Sequence, residues 1–234
     1  MNPALPGIVA ISFYLLGSYS QVRSLITRTV TRRSDLVRFV LPALIFHGLF
    51  VYSVLETSSG IDLSFFNVAA LISLTINVAV LLASSREPVH NLYVFVFLIS
   101  ILTVAGCLAV HALAFSPTAT PRTVSAPLLF HIVVSVVAYS ILTLAACQSV
   151  LVLTMERRIR NRAAIDLFHL LPPLESLEAM LFRFLWAGLA ILTVSIATGF
   201  VFLADKFSEH LSQHHTVLSV ASWVVYTLLL AGHT

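Results

Sequence analysis

The chain has 234 residues, 59% of them apolar and 10% charged, with a formal charge of +3. A soluble domain carries about a quarter charged residues and leaves much of its surface in water at this size, so the composition excludes an ordinary soluble globule and points to lipid as the main solvent. The basic residues are nearly all arginines, with Lys206 the only lysine, and they gather in two clusters. That is a topology signal, and it excludes a diffuse nucleic-acid-binding surface.

A helix crosses about 30 Å of hydrocarbon in about 20 residues. Apolar stretches at 4–22, 37–55, 64–84, 91–115, 127–154, 182–204 and 216–233 therefore predict an all-α, polytopic transmembrane bundle of seven spans. Residues 1–22 lack a basic region before the apolar run and a convincing cleavage site, and read as a retained span. The runs are apolar on every side, whereas a membrane barrel alternates apolar and polar residues, and only helices satisfy their backbone groups within one segment.

Between the first two spans lie Arg23, Arg28, Arg32, Arg33 and Arg38, and between the fifth and sixth lie Arg157, Arg158, Arg160 and Arg162. Arg86 falls on the same side by alternation, while the opposite loops carry only Arg122 and Lys206 among Glu56, Asp62, Asp205 and Glu209. Ten basic residues against two put the arginine-rich loops in the cytoplasm and the amino terminus outside.

The longest piece expected outside the membrane is 155–181, where Pro172 and Pro173 interrupt the chain and Leu174, Leu177 and Leu181 restart helical spacing. Pro173 suits a first-turn position, and Glu175 and Glu178 place negative charge at the positive end of the new helix. The whole chain, 1–234, reads as a single transmembrane domain. Its abrupt stop at Gly232-His233-Thr234, with no basic or polar anchor, suggests truncation at the carboxy terminus. Cys107 and Cys147 each sit in an apolar stretch at different depths, and read as small buried side chains rather than a disulfide.

Ionisable groups at membrane depth are expensive and need partners, so the nine histidines carry most of the functional information. His47 falls about 13 Å into the second span, near mid-membrane, and His233 about 26 Å from the outer surface in the seventh, so the two are candidates to face each other. His131 opens the fifth span, His111 nears the outer end of the fourth, and His210, His214 and His215 precede the seventh. A haem iron takes one imidazole above and one below a flat macrocycle, usually from different helices and within an apolar, aromatic pocket. The competing reading is that each histidine hydrogen-bonds a neighbouring helix. Zinc is a third choice, but His214 and His215 are adjacent and lack a convergent spacing.

Tyr93, Tyr139, Tyr226, Trp186 and Trp223 fit helix packing and interface belts as well as a pocket wall. No Gly-x-Ser-x-Gly, phosphate-binding loop or intramembrane carboxylate pair is present, which favours an assembly or binding factor over an enzyme. The lack of buried Asp, Glu or Lys argues against an ion-coupled pump.

The run His131-Ile-Val-Val-Ser-Val-Val-Ala-Tyr-Ser-Ile-Leu resembles the span that begins with a haem-handling histidine in the CcsA/CcmC cytochrome c assembly family. Further blocks look like that family's YpjD branch: Pro172 to Glu178, Leu192-Thr193 to Thr198-Gly199, and Val217-Leu218-Ser219 through Trp223 and Tyr226 to His233. The blocks around His47 and from Leu63 to Asn67 match too. The resemblance implies an inner-membrane haem-binding protein of cytochrome c assembly, with His131 as the outer haem histidine, His233 as the membrane-embedded one, and His47 matching the histidine of the branch's second span. One departure is clear. The family's tryptophan-rich loop is here Asp205 to Ser219, without a tryptophan, and only Trp223 lies nearby. The family's final span and last outer histidine have no counterpart, and without Cys-x-x-Cys-His the chain is no c-type cytochrome.

Two readings follow. In the first, His47 and His233 bracket an inner haem, while His131 and a loop histidine, His214 or His215, hold an outer one beside Trp223, in contact with apocytochrome c or another membrane subunit. In the second, the chain is a haem-free scaffold or regulatory subunit whose arginine loops dock a partner.

Overall fold

A computed structural model describes residues 2–27, 33–58, 60–85, 89–113, 124–160, 173–202 and 214–232. Within them are seven helices: α1 (Ala4–Ile26), α2 (Arg33–Leu55), α3 (Phe65–Ala83), α4 (Tyr93–Ala112), α5 (Ala126–Arg160), α6 (Leu174–Phe202) and α7 (His214–Ala231). The all-α membrane bundle expected from the sequence is therefore the observed class. Six helices, α1 to α6, are long and apolar enough to cross a bilayer. The seventh is shorter, with its apolar part at Val217–Ala231. Only 28–33% of each span window is buried within the protein. In water that exposure would be ruinous. In lipid, side chains such as Leu102, Trp186 and Leu228 meet a solvent as apolar as themselves.

Helix ends depart from the expected spans where the chain leaves the hydrocarbon. At 35 residues, α5 runs about 52 Å at 1.5 Å per residue, against about 30 Å of hydrocarbon. Its last turns, with Glu156, Arg157 and Arg160, therefore project beyond the apolar zone. Likewise α6 begins at Leu174, directly after Pro173, and continues unbroken through the expected start at 182. Leu174, Leu177 and Leu181 thus belong to the spanning helix itself, because once a helix has started nothing between Leu174 and Phe202 forces it to stop. Pro42 lies inside α2; it removes one backbone donor, a loss membrane helices tolerate when neighbours satisfy the freed carbonyl.

Between α2 and α3 the chain makes a small antiparallel hairpin, Glu56 opposite Ile61 and Thr57 opposite Gly60. Gly60 has φ 131°, a conformation that side-chain-bearing residues rarely adopt. The Asp62 carboxylate then accepts a hydrogen bond from the Ser64 amide at 2.9 Å, and it holds negative charge at the start of α3.

The chain divides into two compact units, the first comprising α1 to α4 and the second α5 up to Glu156 with α6 and α7. In the first, α1 packs on α2 and α4, and α3 packs on α2 and α4. Phe50, Val51, Val54, Ala70, Val104 and Cys107 form its apolar centre. In the second, Trp223 and Tyr226 of α7 pack over two small clusters, one around Ala145, Leu185 and Leu189, the other around Ala138, Leu142 and Leu192. Glycines let side chains approach closely inside each unit. A Cβ at Gly188 would lie 2.6 Å from Leu142, and one at Gly106 would lie 2.9 Å from Phe66. Both cysteines are buried and free.

Candidate functional site

In the first unit His47 is fully buried, with 0% of its surface exposed. Its Nδ1 shares a hydrogen bond of 2.9 Å with the Tyr14 hydroxyl, and the two rings meet edge to face at 5.7 Å. Tyr14 in turn leans on Phe97 at 5.6 Å. Nε2 of His47 meets no acceptor at hydrogen-bonding geometry. A buried imidazole nitrogen without a partner costs free energy, so this atom is a candidate for a ligand bond.

The same unit holds a polar seam that sequence reasoning did not single out. Asn77 of α3 donates to Ser100 of α4 at 2.6 Å, Ser73 and Thr103 share a hydrogen bond of 2.7 Å, and the Cys107 thiol donates to Asn67 at 3.2 Å. Asn67 also donates to the Val54 carbonyl at 3.0 Å, tying α3 to α2. The available signal was the spacing: Ser100, Thr103 and Cys107 stand three and four apart in an otherwise apolar span, one stripe of a helix. His111 is exposed at the end of α4, its ring nitrogen within 2.9 Å of the Cys107 carbonyl.

In the second unit His131 is half-buried in the second turn of α5. Its Nδ1 lies 3.1 Å from Thr198 Oγ1 on α6. The ring fits against Gly199, where a Cβ would stand 3.0 Å from Cε1. One turn on, Ser135 and Ser195 share a hydrogen bond of 2.7 Å between the same helices. Further along, the Gln148 amide donates to the Leu177 carbonyl at 2.9 Å. These three contacts set α5 and α6 antiparallel along most of their lengths. The third helix joins through Tyr139 and Ser219, hydroxyl to hydroxyl at 2.6 Å, and through the Trp223 indole, which donates to Thr193 at 2.9 Å. Ser195 and Gln148 were missed in the sequence, and Thr193 and Thr198 entered only within a matching block with no role, because each is a single polar residue in a long apolar run.

Trp223 thus has its one polar atom occupied and its ring in the α6–α7 packing. His214 and His215 form the first turn of α7; their side chains, and all of His233, lie outside the described residues. The backbone still fixes a level. His131 is eight residues before Tyr139 and His214 five before Ser219, so the two histidines start their helices within about 5 Å of the same depth. Among the described residues no group of three metal-binding side chains exists.

Over residues 37–234 the sequence matches the family described as cytochrome C assembly protein. The chain belongs to that family. It is 28% identical over 181 residues to inner membrane protein YpjD of Escherichia coli strain K12, covering 76% of this chain and 65% of the relative. It is also 38% identical over 104 residues to an uncharacterized 28.8 kDa protein in a nifR3-like 5' region of Azospirillum brasilense, 44% of this chain and 38% of that one. The matched stretch therefore spans just under two thirds of the YpjD relative. No solved structure matches significantly.

Proposed function

We propose that this chain is a haem-binding protein of the bacterial inner membrane that takes part in cytochrome c assembly, with His131 as an axial haem ligand. Family membership supports the process, and the relative's name, inner membrane protein YpjD, supports the membrane. The observation that carries the haem reading is His131: a half-buried imidazole whose Nδ1 is anchored to Thr198 on the neighbouring helix. That is the donor chemistry a haem iron takes, one ring nitrogen to the metal and the other to the protein. Bound haem would supply one-electron iron chemistry, and the protein would supply ligands, orientation and an apolar surround.

In this reading His214 or His215, level with His131, provides the opposing imidazole, and Trp223 stands a little over two turns below on the same helix as part of the wall. The unpartnered Nε2 of His47 favours a second, membrane-embedded ligand position in the first unit; His233, its expected partner, lies outside the described residues. The amino terminus lies in the periplasm and the arginine-rich ends in the cytoplasm, so the His131 end faces the compartment where apocytochrome c is the partner.

The test is the absorption spectrum of protein purified from membranes with haem available. A reduced bis-imidazole spectrum is expected, with one component lost on His131→Ala. A colourless protein that takes up no added haemin would sink the proposal. It would favour a haem-free scaffold, the reading for which the absence of tryptophan between Asp205 and Ser219 speaks. Reporter fusions after residues 30 and 165 should both read as cytoplasmic; periplasmic activity at either would overturn the orientation.

A further inference from the structure

We infer that Thr198 and Gly199 are positioning residues that fix the tautomer and ring plane of His131, so that Nε2 is the nitrogen offered to a ligand. The inference rests on the haem reading for what the ligand is, but its structural content stands apart from it.

The argument is a count of protons along one seam. A threonine hydroxyl has one hydrogen to give. Thr198 spends it on the Ser195 carbonyl, 2.9 Å away on its own helix. Its oxygen can then only accept, so the hydrogen between Thr198 and His131 belongs to Nδ1. The neighbouring hydroxyls do not interfere. Ser135 gives its hydrogen to the His131 carbonyl at 2.7 Å, and Ser195 therefore donates to Ser135. With Thr198 accepting, the contact at Nδ1 takes its hydrogen from the ring, and a neutral imidazole carrying its hydrogen there has a lone pair at Nε2.

Gly199 supplies the space. The His131 ring lies with Cε1, Nδ1 and Nε2 at 3.0, 3.6 and 3.8 Å from where a Cβ at 199 would be. Any larger residue would tilt the ring or lengthen the bond to Thr198. The adjacent Thr198-Gly199 pair therefore sets both the protonation and the plane of a residue 67 positions earlier.

The test uses the full-length protein in lipid bicelles, with ¹⁵N-labelled histidine and a His131→Gln sample to assign the signal. Without haem, wild type should show His131 protonated at Nδ1. Thr198→Val should move a large share of the molecules to the Nε2-protonated form, and Thr198→Ser should restore wild type. Gly199→Ala, which keeps the hydroxyl, should weaken the bond and broaden the signal. An unchanged tautomer in Thr198→Val, or an Nε2-protonated ring in wild type, overturns the inference. If Thr198→Val fails to fold, Gly199→Ala and the wild-type tautomer still decide it. In a second arm with haemin, Thr198→Val should bind 10- to 100-fold more weakly, the usual effect of losing such an outer partner, with Thr198→Ser recovering most of it. Full haemin affinity in Thr198→Val, with affinity lost in His131→Ala, refutes the positioning role and leaves the haem reading intact. A tautomer switch in a protein that binds no haemin does the reverse.

Discussion

Substituting Phe for Tyr14 tests whether the buried pair in the first unit is a unit of stability. Both side chains are fully buried, and the hydroxyl is the partner of Nδ1 at 2.9 Å, while Nε2 already has none at bonding geometry. Tyr14→Phe thus leaves an imidazole with neither nitrogen bonded, and an orphaned buried polar group costs about 1–3 kcal/mol. Membrane hydrogen bonds run lower, averaging about 0.6 and reaching about 1.7 kcal/mol, because the unfolded chain finds other partners. The expected loss is therefore about 1–2 kcal/mol. His47→Leu removes the costly ring. In that background Tyr14→Phe should be nearly neutral, since deleting both partners of a pair spares the orphan penalty. The coupling energy should be about 0.6–1.7 kcal/mol. Reversible unfolding of the four proteins in mixed micelles measures it directly. Additive losses, within about 0.3–0.5 kcal/mol, would mean the hydrogen bond contributes nothing specific.

Three further outcomes follow from the packing. Gly188→Val should destabilise the second unit by about 1–3 kcal/mol, since its Cβ would meet Leu142 at 2.6 Å; thermal unfolding with and without Leu142→Ala reads it, and a loss that Leu142→Ala does not reduce would refute the contact. Thr193→Val should leave the Trp223 indole N–H without its acceptor, costing about 1 kcal/mol, and should shift the emission of Trp223 in a Trp186→Phe background. The thiols of Cys107 and Cys147, 0% and 8% exposed, should resist a maleimide in the folded protein and react only as it unfolds.

What was legible in the sequence was set by lipid, and what was not was set by neighbours. A bilayer demands long apolar helices, and that demand is written in every residue of a span; hence 64–84 anticipates Phe65–Ala83 closely. Helix ends are set outside the hydrocarbon, where no such demand applies. That is why α5 runs on to Arg160, past the expected 154, whereas the start of α6 at Leu174 was marked by Pro173 and only its continuity with the span from 182 was not. The site divides the same way. His131 and His47 stand out because a histidine in lipid is rare. Thr198 does not, because a threonine in a helix can satisfy itself on its own backbone, as Thr75 and Thr143 do. Only the partner across the helix pair separates them.

That difference explains why the two histidines carry different prospects. Each is held through one nitrogen by a hydroxyl on a neighbouring helix, Tyr14 in one case and Thr198 in the other. The tyrosine hydroxyl keeps a hydrogen that either atom of the pair can hold, so the tautomer of His47 is left open by that contact alone. Thr198 has already given its hydrogen to Ser195, so the tautomer of His131 is decided. Burial differs as well: His47 is sealed, whereas His131 is half-buried at the start of α5. A macrocycle needs an open edge and a lone pair in the same place. In the haem reading His131 supplies both with the helices as they stand, whereas His47 is sealed and its tautomer open, so haem added to the folded protein should reach His131 before it reaches His47.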